Sequence, residues 1–319
     1  MKAIQITRLD GPDAVELVEI DEPVAGEGQV LIAVKASGVS FPEVLQTRGQ
    51  YQMKPPVPFT PGSEVAGDVI AADESTGFKP GDRVVGFTLL GGFAEKAVAQ
   101  ADMVFPLPDS VSYEQGAAVP LNYLTAYFAL VERGQLAEGE SVLVHGAAGG
   151  VGTAAIQIAK AFGAGRIIAV TSTPEKGAVA MEAGASEFVL VEGFKDSVKA
   201  GGGVDLVVDP VGGDRFTDSL RCLKDDGRLL VIGFTAGEIP TVQVNRLLLN
   251  NLSVVGVGWG AYALKRPGFI AAEWAAILPH LESGALNPVI GETFALANAG
   301  KALASIDERK ATGKVLLTQ

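Results

Sequence analysis

Residues Val142 to Gly152 read V-L-V-H-G-A-A-G-G-V-G, an apolar run that ends in a glycine cluster and is followed at once by an uncharged helical pattern, Thr153 to Ala159. A strand buried on both faces in a parallel sheet is apolar throughout, and Ser141 to Val144 fits. Glycines follow where the backbone must turn sharply, approach a pyrophosphate and pack close to the strand. The helix that starts there aims its unpaired N–H groups and the positive end of its dipole at the phosphates, so no side chain has to supply charge. Ala148, Gly149, Gly150, Val151 and Gly152 are therefore expected to surround a dinucleotide pyrophosphate.

The turn departs from G-x-G-x-x-G at Ala147, with Gly149 and Gly152 in the second and third positions. Alone, it also reads as an ordinary glycine-rich turn between a strand and a helix. Its surroundings favour the dinucleotide. The helix ends near Ala161, and a second apolar strand, Arg166 to Val170, precedes a helical stretch from Pro174 to Ala183. Candidate strands recur at Glu187 to Val191, Val204 to Val208, Arg228 to Ile232 and Leu252 to Val257. Strands alternating with helix-length segments imply βαβ units, and this number completes a doubly wound α/β domain of the Rossmann type.

In such a domain an acidic side chain at the end of the second strand accepts hydrogen bonds from the adenosine ribose and repels a 2′-phosphate. Here Thr171 and Ser172 stand there, and no Asp or Glu occurs from Ser141 to Pro174. Ser172 and Thr173 offer hydroxyls, and Lys176 offers a cation for a phosphate dianion, although it also reads as a solvated helix residue. The missing acid predicts NADP(H) over NAD(H), and an aspartate at Thr171 is expected to weaken NADPH binding.

A chain of 319 residues is long enough for about two domains at ~150 residues each. Its 25 basic against 37 acidic residues argue against nucleic acid or an anionic membrane as partner. The opening M-K-A-I-Q-I-T-R-L-D alternates like a strand, the charge-free stretches are broken by glycine clusters, and the expectation is a cytoplasmic protein without a membrane span. A single cysteine, Cys222, excludes an internal disulfide and a multi-cysteine zinc site. His145 and His280 lie far apart and read as packed or capped side chains rather than ligands.

Residues 1 to about 118 carry short strand-like runs, at Val30 to Ala36, Val65 to Ala71, Arg83 to Phe87 and Phe93 to Val98, between Gly and Pro turns. From Pro267 onward two helical patterns, Glu273 to Ser283 and Asn298 to Lys310, precede a strand, Lys314 to Thr318. A lone strand needs a sheet to join, and the first domain offers one. The expected organisation is a mostly β domain of residues 1–118 and 262–319, with the Rossmann domain of residues 119–261 inserted in it.

The chain resembles the medium-chain dehydrogenase/reductase superfamily in its zinc-independent NADPH:quinone oxidoreductase branch, which includes zeta-crystallin. The resemblance runs through G-V-S-F-P-E (Gly38 to Glu43), P-F-T-P-G-S-E-V-A-G (Pro58 to Gly67), G-D-R-V-V-G (Gly81 to Gly86), G-G-F-A-E (Gly91 to Glu95), L-T-A-Y (Leu124 to Tyr127), the glycine turn and G-K-V-L-L (Gly313 to Leu317). It implies a GroES-like catalytic domain around the nucleotide domain. Where the superfamily's zinc enzymes carry a cysteine and the histidine of G-H-E, this chain has Ser40 and Ser63, and the four-cysteine lobe is missing. Hydroxyls do not replace a thiolate and an imidazole around zinc, so no metal is expected. Glu64 reads as a structural carboxylate, with proton handling as the alternative.

The resemblance implies hydride transfer from NADPH to a quinone or an α,β-unsaturated carbonyl, in a cleft beyond the carboxyl ends of the strands. Ser40, Phe41, Tyr51 and Asn122 would face the substrate, with Thr125 near the nicotinamide and Gly233, Phe234, Val257, Gly258 and Trp259 opposite. In related enoyl thioester reductases a G-x-Y tyrosine is the presumed proton donor, and Gly49-Gln50-Tyr51 matches; packing in a turn is the alternative for Tyr51. Quinone-type members often have Asn at Ser40 and Tyr at Leu45, departures that bear on the acceptor and not on the fold. An enoyl thioester reductase, with Lys54, Lys96 and Arg48 toward a CoA or carrier-protein tail, and a non-catalytic NADPH-binding protein are the alternatives. The apolar edge strand Leu252 to Val257 is expected to pair with its copy in a homodimer.

Overall fold

Alternation at the start of the chain forms an antiparallel ribbon, β1 (Lys2–Ile6) with β2 (Val15–Glu19). In the computed structural model, which describes residues 1–319, an antiparallel sheet follows from β3 (Gln29–Val39), β4 (Glu64–Ala72), β5 (Arg83–Phe87), β6 (Lys96–Gln100) and β7 (Val104–Pro106). Strand β3 is its axis, pairing with β4 and with β6, and its inward Val30, Ile32 and Val34 meet Val65, Val69 and Val84. A short helix, α1 (Phe41–Gln46), separates β3 from β4, and another, α2 (Tyr113–Ala117), follows β7. Each opens on an S-x-x-[E/Q] capping box, so Glu43 is drawn back to the Ser40 N–H at 3.0 Å.

After α3 (Pro120–Tyr127) the pattern changes to β8 (Ser141–His145), α4 (Gly150–Ala161), β9 (Arg166–Thr171), α5 (Pro174–Glu182), β10 (Glu187–Leu190) and α6 (Phe194–Ala200). It continues with β11 (Val204–Asp209), α7 (Arg215–Cys222), β12 (Leu223–Val231), α8 (Asn245–Leu249), β13 (Ser253–Gly256) and α9 (Trp259–Ala263). The six strands lie parallel in the order β10-β9-β8-β11-β12-β13, so the order reverses between β8 and β11. That reversal is the switch point at which doubly wound sheets bind nucleotides. The strand expected from Arg228 begins at Leu223, because the chain leaves α7 already extended and passes a bulge opposite Val204 and Leu206, with Asp226 at φ 62°. A π-helical segment, Phe128–Arg133, follows α3 and was not foreseeable from periodicity. The Arg228 guanidinium caps its end, donating to Gly134 O at 2.8 Å and pairing with Glu140 at 2.7 Å.

The chain returns through α10 (Phe269–Glu282), β14 (Ile290–Ala295), α11 (Ala299–Asp307) and β15 (Lys314–Thr318). Strand β15 inserts between β14 and β3, so the terminal strand joins the early sheet as its isolation required. Two compact units result: Met1–Leu121 with Pro267–Glu282 and Pro288–Gln319, and Asn122–Arg266 with Ser283–Asn287. Residues 119–121, 262–266 and 283–287 fall on the other side of this division from the one expected. Leu121 is tied to Glu64 by its N–H at 2.8 Å, Tyr262 packs on Phe128 with Arg266 over its ring, and Asn287 is bonded in both directions to Gln157. No helix is long and apolar enough to cross a membrane.

Candidate cofactor and active site

Every residue of β8 is buried, and the chain leaves it through Gly146 at φ 58°. A Cβ on Gly152 would lie 2.2 Å from Gly146 O and 2.7 Å from the Ala147 Cα, so the helix approaches the turn as closely as a hydrogen substituent allows. Gly149 is the extended N-cap of α4 and carries no side chain to cap it; Thr153 Oγ1 turns back to Gly149 O at 3.0 Å. The first N–H groups of α4, at Gly150, Val151 and Gly152, are left without a side-chain acceptor, in the arrangement that binds anions. Ala148 is buried behind them.

At the end of β9 the three hydroxyls divide. Thr171 is buried and donates to Thr173 O at 3.2 Å, while Thr173 Oγ1 accepts from Lys176 N at 3.3 Å as the N-cap of α5. Ser172 is exposed. Glu175, the first acid after this strand, is held below its ordinary carboxylate range by its own backbone N–H and by the Thr173 hydroxyl. Gly233 and Phe234 follow β12, and Val257, Gly258 and Trp259 follow β13, so all five lie past carboxyl ends of the sheet; Trp259 is buried. Asn122 and Thr125 share one face of α3 and are both buried. His145 and Cys222 are buried: His145 Nε2 meets Ser219 Oγ at 2.7 Å, and burial pushes the Cys222 thiol up to about 12.

The first unit gathers residues from four places in the sequence. Ser40 Oγ lies 3.2 Å from Glu64 Oε1, Ser63 Oγ donates to Glu43 Oε1 at 2.6 Å, and Lys314 Nζ donates to Ser40 Oγ at 2.6 Å. Lys314 also forms an ion pair with Glu64. The Glu43 carboxyl is pushed up to about 7, chiefly by burial, against the Ser63 hydrogen bond and the Lys314 charge. Tyr51 is half-buried, and burial first and the Glu43 charge second hold its phenol above the usual range. Of the residues expected here, Ser40 belongs to the cluster and Tyr51 lies in its field; Glu43 and Lys314 were not anticipated. Each had a sequence signal: Glu43 completes a capping box, and Lys314 opens the otherwise apolar run V-L-L.

This cluster gives the fold a pH dependence. Glu43 holds its proton more tightly folded than unfolded, so its contribution to stability is full below 4.5 and lost as pH rises to about 7, on the order of 3 kcal/mol. His145, whose imidazole burial pushes down from 6.5 to about 4, works oppositely: its contribution is full above 6.5 and lost as pH falls. In the native protein the slopes oppose each other between pH 4.5 and 6.5. Glu43→Gln is expected to remove one of them, so that thermal midpoints rise with pH through that window. A variant whose midpoint profile parallels the native one would show that Glu43 does not titrate there.

Residues 26–109 match the alcohol dehydrogenase GroES-like domain, and residues 150–282 match the family described as zinc-binding dehydrogenase. The chain is 36% identical over 324 residues to quinone oxidoreductase-like protein 2 of Mus musculus, covering 99% of this chain and 92% of that one. It is 35% identical over 329 residues to the quinone oxidoreductase of Homo sapiens, covering 99% and 97%. The chain belongs to the quinone oxidoreductase branch of the medium-chain dehydrogenase/reductase superfamily. Among solved quinone oxidoreductases, that of Thermus thermophilus, studied alone and with NADPH, superposes with a TM-score of 0.88 at 38% identity, covering 100% of both chains. The Escherichia coli quinone oxidoreductase complexed with NADPH superposes with a TM-score of 0.91 at 28% identity, again covering 100% of both. The zinc-binding dehydrogenase match begins at residue 150, beyond Ser40 and Ser63. At those positions this quinone oxidoreductase family member presents two hydroxyls and a carboxylate already paired with an ammonium, a set that does not fit zinc.

Proposed function

We propose that the protein is an NADPH-dependent reductase that delivers hydride to a quinone or an α,β-unsaturated carbonyl without a metal. The observation that carries this reading is the donor set at Ser40, Ser63, Glu64 and Lys314, which holds a cation of its own where alcohol oxidation would need a Lewis acid. Reduction of an electron-poor conjugated system needs placement of the acceptor and polarisation of its oxygen. The uncapped start of α4, the absence of an acid at the end of β9 and the solved relatives bound to NADPH support the cofactor. Thr125, Ala148 to Gly152, Ser172, Lys176 and the residues that follow β12 and β13 would hold it. Ser40, Tyr51 and Asn122 would face the acceptor.

A basic entrance for a CoA or carrier-protein tail is poorly supported. Arg48 is bidentate to Asp307 at 2.8 and 2.6 Å, and Lys96 is paired with Glu22, which leaves Lys54 of the three expected cations. NADPH oxidation should be followed with a quinone, an enal and an enoyl-CoA, alongside NADP⁺ reduction with a primary alcohol in the presence and absence of zinc. Quinone and enal turnover is expected; zinc-dependent alcohol oxidation, or turnover of the enoyl-CoA alone, would replace the proposal.

The assembly proposed is a homodimer through β13. Val254 and Val255 are half-buried on this edge, and Leu248 and Leu249 of α8 extend the apolar surface, each 77% exposed. Leu248→Lys combined with Leu249→Lys, at side chains that stand clear of the core, is expected to halve the mass measured by light scattering at micromolar concentration. A native protein that is already monomeric there would end the proposal.

A further inference from the structure

A buried ammonium is tolerated where its charge is paired and its hydrogens are placed. Lys314 is 3% exposed and Glu64 0%, and Nζ donates to both Glu64 Oε1 and Ser40 Oγ. Glu64 cannot swing away, because its other oxygen accepts the Leu121 N–H at 2.8 Å. The space for this lysine is built into the backbone. A Cβ on Gly38 would lie 2.6 Å from Lys314 Cε and 2.6 Å from Glu64 Oε1, so the strand carries a glycine where any side chain would evict the pair. Ser40, with 8% exposure, is the member of this trio with surface left to offer a ligand.

A hydroxyl that accepts a hydrogen bond from an ammonium becomes a stronger donor of its own proton. At 3.2 Å the Ser40 hydroxyl is only loosely held by Glu64, since O–H···O bonds cluster near 2.7–2.8 Å, so turning that proton toward a ligand gives up little. We propose that Lys314, acting through Ser40, supplies the positive charge that polarises the acceptor oxygen as hydride arrives. Ser40 is the catalytic hydrogen-bond donor and Lys314 the positioning residue behind it. Negative charge grows on the acceptor oxygen and meets the Ser40 O–H; no bond of Ser40 or Lys314 is made or broken, and the proton that completes the product comes from water. The assignment rests on the reductase function proposed above.

The test uses the full-length protein with NADPH and two acceptors, a strongly oxidising benzoquinone that needs little polarisation and a weakly electrophilic enone that needs much. Removing both charges together, as Glu64→Gln with Lys314→Met, leaves no buried ion unpaired and is expected to preserve the fold and the Kd for NADPH. With the enone kcat should fall about 100-fold, the scale of losing one preorganised donor, and with the benzoquinone less than about 10-fold. Ser40→Ala should reproduce both losses and add nothing when combined with the double variant, because the residues act as a unit. If the double variant does not fold, Ser40→Ala against Ser40→Thr carries the test, the hydroxyl restoring the enone rate. Equal losses on the two acceptors, additive losses, or a folded double variant with native enone turnover would overturn the role of Lys314. A native protein that reduces neither acceptor overturns the reductase function itself, and this assignment with it.

Discussion

Gly152→Ala is expected to abolish measurable NADPH binding and to destabilise the nucleotide unit by about 3 kcal/mol, at the upper end of ordinary overpacking. The methyl group would meet Gly146 O at 2.2 Å, the Ala147 Cα at 2.7 Å and the Ala147 carbonyl carbon at 2.8 Å, and all three are backbone atoms. No rotamer change relieves such contacts. Either α4 moves outward, or the turn after β8 opens and misaims the N–H groups that receive the pyrophosphate. Gly149→Ala is the informative control: its Cβ would meet only Gly146 O, at 3.4 Å, so the fold should persist. Thermal unfolding with and without NADPH separates the two effects. A Gly152→Ala protein with native stability and native affinity would mean that the helix does not seat as described.

The second large effect is expected at Ser172. Thr171 holds the position nominated from sequence, but it is buried with its hydroxyl committed to Thr173 O, so a carboxylate there would disturb the strand as well as the ligand. Ser172 is exposed, and Ser172→Asp should leave the fold intact. A carboxylate within about 5 Å of a 2′-phosphate at an effective dielectric constant near 20 costs about 3 kcal/mol, which is roughly a 100-fold loss of NADPH affinity. NADH, which offers ribose hydroxyls instead, should bind as well as before or better. Lys176→Met should weaken NADPH binding without improving that of NADH. Fluorescence titration with both nucleotides decides the matter, and an unchanged NADPH/NADH ratio in Ser172→Asp would remove Ser172 from the cofactor site.

What the sequence revealed follows the range over which each signal acts. The glycine turn and the six strands rest on local periodicity and turn chemistry and could be read from neighbouring residues, whereas the switch from β8 to β11 is a pairing of distant strands that only the fold displays. The return of β15 to the early sheet followed from the same reasoning, since a lone strand needs a partner. Lys314 could not be assigned in that way. Its partners, Ser40 and Glu64, lie more than two hundred residues earlier, and K-V-L-L-T reads as a strand whether its lysine is solvated or buried. The π-helical segment was missed because its wider winding leaves no apolar period of its own; Arg228, from a distant strand, satisfies the carbonyls at its end.

The place of β15 also sets an order of events during synthesis. The six strands of the nucleotide sheet follow one another in the chain and have all been synthesised by Gly256, whereas the early sheet lacks its β15 strand until residue 314 and beyond. The unit that begins first thus finishes last, and the Ala36 to Val39 end of β3 waits with one edge unpaired while the inserted unit matures. That open edge is the point in the life of the chain at which a chaperone or a misdirected strand would compete for it. The same late strand delivers the ammonium to Glu64, so the cluster is assembled only when the sheet closes.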